Sequence, residues 1–183
     1  MRFLLGLTRT LVALSMGLWI GGLFFFGAIT AAVMFPMTIK AGVPQMAPLM
    51  VGPMLSHFGV VCSICSVVLL VGWLVDGLLT KSALWWRLQG VLTILAVGLG
   101  AYLNFGLLPA VERDQPAAIP LYVRSKGPHP SFTPAELELR ARFDAKHERS
   151  STLFFVDIYL LIGALACLMA RSLPVEVGNL RKN

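Results

Sequence analysis

Long uncharged apolar runs alternate along the chain with short stretches that hold most of its charge. Four runs stand out: Leu11–Phe35, Met54–Val75, Trp85–Leu108 and Ser151–Ala170. A helix crossing a bilayer core needs about 20 mostly apolar residues, and each run supplies them. The pattern predicts an all-α fold, an integral membrane four-helix bundle forming a single domain over residues 1–183. Short links, PMTIKAGVPQMAP and DGLLTKSALW, join the first three spans. The opening MRFLLGLTRTLVAL could imitate a signal peptide, but 25 uncharged residues follow it. That exceeds an h-region of about 7–15 residues, so the segment is expected to remain as a span.

The stretch Pro109–Ser150 is expected outside the bilayer, with a helix starting at Pro134. Thr133-Pro134-Ala135-Glu136 is a capping box with Pro in the first helical position. The sequence predicts one helix from Pro134 to Arg171, about 57 Å long at 1.5 Å per residue, extending well beyond the membrane. Glu136–Arg140 and Glu138–Arg142 are spaced to pair at i,i+4, and the remaining charges suit a solvated face.

Composition agrees. The 183 residues are 57% apolar and 13% charged, about half the ~25% charged fraction of a soluble domain. Mean hydropathy is +0.78. A net charge of +6 could suggest nucleic acid, yet the basic residues are scattered over segment ends as membrane topology would place them. No nucleic-acid partner is expected; the lipid bilayer is. Four spans put both termini and the middle link on one face, with Arg2, Arg9, Lys81, Arg87, Arg171, Arg181 and Lys182 against Asp76 and Glu176. The density of positive charge in these short segments favours a plasma (inner) membrane protein with cytoplasmic termini. Trp73, Trp85 and Trp86 would then anchor the cytoplasmic interface. The cysteines, 62, 65 and 167, lie in apolar runs and imply no disulfide framework.

Polar residues inside the spans carry the candidate chemistry. Asp157 lies six residues in from Ser151, about 9 Å. Asn104, Thr30 and Cys62 fall at similar depth in the same leaflet, near the face opposite the termini. At 100° per residue, His147, Ser150, Ser151, Phe154 and Asp157 share one broad face of the fourth helix. That face is expected to line an inward cleft, because a carboxylate facing lipid costs at least ~2.5 kcal/mol at the helix centre. The alternative is a structural role, Asp157 bonding Asn104 or Thr30 as helix glue. Met50, Met54, His57, Cys62 and Cys65 gather near the same leaflet and could ligate copper or another soft metal, although Met also serves as ordinary apolar filling. Gly17-x-x-x-Gly21 marks a face for close helix packing, in a homo-oligomer or a larger complex.

The stretch Phe143-x-x-x-His147-x-x-Ser150-Ser151 resembles the transmembrane protein 205-like family, small four-helix membrane proteins whose bacterial members carry a domain of unknown function. Trp19-Ile-Gly-Gly-Leu-Phe24, Met34-Phe35-Pro36 and Asn104 followed by Pro109 are similar to other parts of that family. Where some members carry Asn, this chain has Phe154, and its polar group comes at Asp157. A more distant likeness, in helix count and the Gly-aromatic first span, is to copper-resistance CopD membrane proteins.

P-loop, HExxH and GxSxG motifs are missing. His147, Ser150 and Asp157 share one helix, and collinear side chains cannot converge as a catalytic triad, so a hydrolase is not expected, and the balance of motifs favours a protein that is not an enzyme. The first functional expectation is a protein that handles a small solute or soft metal ion through a polar cleft in one leaflet. The alternatives are an accessory subunit of a larger membrane complex, and a haem- or quinone-linked protein using His57 and His147.

Overall fold

The computed structural model describes residues 1–80, 84–125 and 131–172. Lys81, Glu176, Arg181 and Lys182, which entered the topology argument, lie outside the described residues. Four helices are long and apolar enough to cross a membrane: α1 (Arg2–Lys40), α2 (Met46–Leu79), α3 (Leu84–Ser125) and α4 (Pro134–Ser172). They pack in a ring, each against its two sequence neighbours, with α4 closing on α1. Each contributes a stripe of small or apolar residues to the core. Met16, Trp19, Leu69, Ala96, Leu161, Ala164 and Leu168 are all sealed from solvent and lipid. The chain is an all-α, four-helix integral membrane bundle.

All four helices outrun the hydrophobic runs that announced them. At 42 residues α3 is the longest, and α1 and α4 have 39 each; at 1.5 Å per residue these reach about 60 Å, twice the ~30 Å bilayer core. The first link shrinks to residues 41–45, turning through Gly42 at φ +74°. Pro36 is carried within α1, and Pro48 falls in the first turn of α2, where no intrahelical N–H is needed. The segment after Pro109, to which the sequence pattern assigned no element, is helical as far as Ser125 with Pro116 and Pro120 inside it. Both prolines are exposed, so the carbonyls they leave unbonded face outward. Val111, Ala118 and Leu121 are buried on the other side. Packing therefore outweighs the cost of two prolines in a helix that would be marginal alone.

The outer parts of α3 and α4 form an antiparallel stalk. Its base shows the capping box: the Thr133 N–H donates to Glu136 Oε2 at 2.8 Å, and the Glu136 N–H donates to Thr133 Oγ1 at 3.3 Å. The expected pairs Glu136–Arg140 and Glu138–Arg142 do not form among the described residues. Glu136 binds Arg124 of α3 at 2.6 Å, and Asp114 of α3 receives Lys146 at 2.7 Å and Arg142 at 3.4 Å. The face read as solvated thus ties two helices together. A hydrogen bond from Lys146, helped by the charges of Lys146, Arg142 and Arg113, holds the Asp114 carboxyl below its ordinary range.

At the other end, all four helices meet around one carboxylate. Asp76 of α2 is 2% exposed. Arg9 of α1 reaches its Oδ1 at 3.2 Å, and Arg171 of α4 pairs with its Oδ2. Arg171 also donates to Gln89 Oε1 of α3 at 2.8 Å and to Thr80 Oγ1 at 3.2 Å. Beside this cluster Trp73 and Trp86 stack, ring centres 4.8 Å apart. Each indole N–H donates to the other residue's carbonyl, at 3.1 and 3.0 Å. Gly90 and Gly77 make room, since a Cβ on either would strike the partner ring. Trp73 and Trp86, two of the three tryptophans expected at the interface, thus lock α2 to α3.

Two expectations follow. Asp76→Ala strands two arginines beside a low-dielectric core and should lower the unfolding free energy by about 3 kcal/mol, read from denaturant melts in detergent. For Asp114 the folded-state value is depressed, so its ion pairs stabilise the stalk at neutral pH and are lost as pH falls through about 4 and below. Hydrogen exchange over residues 110–124, corrected for intrinsic rate, should be slower in the native chain than in Asp114→Asn at neutral pH. That difference should vanish in acid.

Candidate functional site

Two local widenings of the helices surround the polar layer. α1 passes through a π-helical turn at Phe25–Thr30, and α3 through another at Leu103–Leu107. Such turns come from an extra residue in the ladder and re-aim the side chains they carry. The second precedes Pro109, which cannot donate to the carbonyl of Phe105 four residues back, so the backbone there opens. The first aims Phe26 at Phe58 of α2, ring centres 5.3 Å apart. Thr30 closes one π turn and Asn104 lies within the other.

Asp157 of α4 lies inside the bundle, 0% exposed, and neither carboxyl oxygen has a hydrogen-bond partner among the described residues. The Trp19 indole is the polar neighbour that bears on it, without reaching bonding geometry. Beside Asp157 lies a cavity of about 10 Å³ lined by Trp19, Phe58, Cys62, Asn104, Phe154 and Asp157, among others; the carboxyl oxygens themselves are sealed from it. This chamber has room for about one water molecule. Gly100 lets the Trp19 ring cross the bundle: a Cβ there would come within 2.5 Å of the indole.

Three of the four depth-matched residues, Cys62, Asn104 and Asp157, therefore line one chamber. Thr30 is buried with its hydroxyl unpartnered, but is not part of the lining. The His–Ser stripe behaves differently. Ser150 and Ser151 both donate to the carbonyl of His147, at 2.8 and 3.0 Å, satisfying themselves on their own helix. His147 is exposed and stacks on Phe143 at 5.9 Å. None of the three reaches the chamber.

The soft-ligand set is divided over α2. Cys62 and Cys65 face the core, while His57, Met50 and Met54 are exposed. His57 donates from Nδ1 to the carbonyl of Pro53 at 2.7 Å. Among the described residues no three His, Cys, Asp or Glu side chains gather as a metal site. His57 and His147 lie on separate helices, and neither lines a cavity at the polar layer.

A second cavity, a groove of about 240 Å³, runs between α2 and α3 at the same depth. Ser56, Ser63, Asn104 and Glu112 supply its polar groups, and Val60 and Phe105 its apolar flanks. Sequence reading missed it, because Ser56, Ser63 and Glu112 carry no motif and meet Asn104 only through the contact of two helices.

The chamber is closed on one side. Asp157 lies about 21 Å along α4 from Arg171 of the four-helix charge cluster, but only about 9 Å from Ser151. Leu161, Ala164 and Leu168 fill the longer path, each at most 1% exposed, against Met16, Leu69 and Ala96. The carboxyl is closed off from the charge-cluster end by this filled core.

Comparison with known proteins is sparse. The chain matches the family described as a domain of unknown function (DUF4149) over residues 14–117. Neither the curated proteins nor the solved structures contain a match. The matched span takes in Trp19, Cys62, Asn104 and both π turns, and ends before α4.

Proposed function

The chain belongs to the DUF4149 family, a membership that brings no activity with it, and from the geometry of the polar layer we propose that it handles a small cation at Asp157. One observation carries this reading: a carboxyl at zero exposure, with both oxygens unpartnered, beside a chamber with room for about one water. An uncompensated carboxylate in hydrocarbon costs several kcal/mol, so the enclosed group calls for a proton or a cation at its oxygens. Asp157 supplies the charge and Asn104 a second polar contact, with the aromatic residues Trp19, Phe58 and Phe154 completing the lining. Helix glue is less well supported, since the carboxyl bonds neither Asn104 nor Thr30. A soft-metal role is less well supported too, because the thioethers and His57 face away from Cys62 and Cys65.

The basic residues at the terminal end favour that end as cytoplasmic, in a plasma membrane, which makes the stalk side the outer one. The finer likenesses, to the transmembrane protein 205-like family through Phe143, His147, Ser150 and Ser151, and to CopD-type proteins, belong to this proposal and name no substrate.

A second reading, an accessory or self-associating subunit, is favoured by Gly17 and Gly21. Both are exposed on the outer face of α1, and a Cβ on either would meet nothing within 4 Å. That leaves a small-residue face free for another helix.

Asp157→Asn tests the first reading. By titration calorimetry, binding of ammonium should weaken about 30-fold, the worth of one charge-assisted contact. Stability should hold or rise, because no native hydrogen bond is lost; a clear loss of stability with binding intact would assign Asp157 to the scaffold. For the second reading, Gly17→Leu with Gly21→Leu should shift any oligomer seen by native mass spectrometry to monomer. An unchanged distribution would remove that face from consideration.

A further inference from the structure

Asn104 is a wall shared by both cavities. On one side it lines the chamber with Asp157, and on the other the groove between α2 and α3. Its amide rests against Gly59, where a Cβ would stand 3.0 Å from Oδ1. Two of the groove's four polar side chains, Ser63 and Glu112, offer only acceptors. The Ser63 hydroxyl already donates to the Gly59 carbonyl at 2.9 Å, so it has only lone pairs to offer. Glu112 is exposed at the groove and its carboxyl makes no ion pair among the described residues. It lies eight residues beyond Asn104, about 12 Å further toward the stalk side.

The two spaces differ in chemistry and size. The chamber offers a carboxyl and three aromatic rings, in a volume that takes a group the size of one water. The groove is more than twenty times larger, and its flanks, Val60 and Phe105, are 61% and 75% exposed. It therefore opens sideways toward lipid.

We propose that chamber and groove are the head and tail compartments of one binding site for a primary alkylammonium ion. Its –NH₃⁺ group sits against Asp157, and its alkyl chain passes Asn104 and lies between Val60 and Phe105. Three N–H donors on a compact head match a site rich in acceptors, and Glu112 draws the cation to the mouth. A trimethylated head has no donors and exceeds the chamber. An anionic head is repelled by both carboxyl groups. The inference rests on Asp157 being a cation site and adds the route and the ligand class.

The test uses the full chain in nanodiscs, titrated calorimetrically with ammonium, butylammonium, tetramethylammonium and butyrate. Butylammonium should bind more tightly than ammonium, with tetramethylammonium and butyrate at least about tenfold weaker than either. Ser63→Phe and Val60→Trp each fill the groove. Either should lower the ratio of butylammonium to ammonium affinity about tenfold, the loss of several buried methylenes' worth of contact. Val60 is a largely exposed side chain, so Val60→Trp carries the test even where Ser63→Phe fails to fold. An unaltered ratio in Val60→Trp, with ammonium still bound and still lost in Asp157→Asn, overturns the groove while leaving the Asp157 site standing. No binding of either cation by the native chain, or equal binding by Asp157→Asn, overturns both.

Discussion

A single buried carboxylate holds the terminal end of the bundle together. Asp76 draws Arg9 and Arg171 to itself, and Arg171 in turn binds Gln89 and Thr80, so α1, α2, α3 and α4 all converge on one cluster. In a low-dielectric surround such groups tolerate no partial pairing, which makes the cluster all-or-none and registers each helix against the others. The stacked Trp73–Trp86 pair adds a second lock between α2 and α3. Everything toward the stalk is built on that fixed end.

The opposite half is looser for a physical reason. Two π turns and several prolines interrupt the regular helix there, at the depth of the polar layer. A π turn gives up ideal packing on its own helix and in return redirects one or two side chains. Phe26 and Asn104 are redirected in this way. The bundle consequently has a rigid, closed end and an opposite end where cavities exist. Asp157 lies between them, separated from the charge cluster by tightly filled core and from the stalk by little.

Much of this was legible in the amino-acid order. Four apolar runs announced four spans, and Thr133–Glu136 announced the start of α4 to the residue. The depth of Asp157, Asn104 and Cys62 was legible from counting, because helical rise is constant. The helix through Pro116 and Pro120 was not, since its stability comes from Val111, Ala118 and Leu121 packing on α4. A sign of the Trp lock was present in Trp73-x-x-x-Gly77 and Trp86-x-x-x-Gly90, where each glycine makes room for the other helix's indole. The pairing partners of Glu136 and Arg142 were misjudged, because local spacing competes with a neighbouring helix that the sequence does not reveal.

By itself, then, the order of residues determined fold class and span number and the common level of Cys62, Asn104 and Asp157 along their helices, because apolar run length and a fixed rise per residue act along one dimension. Tertiary structure decided which side chains share a space. Asp76 changed from a link charge to the hub of the bundle, Ser150 and Ser151 satisfied themselves on their own helix, and Asp157 was left without a partner. Those outcomes depend on the rotation of each helix about its axis and on the reach of side chains across the bundle. Packing between helices sets both, and neither is encoded in the spacing along any one of them.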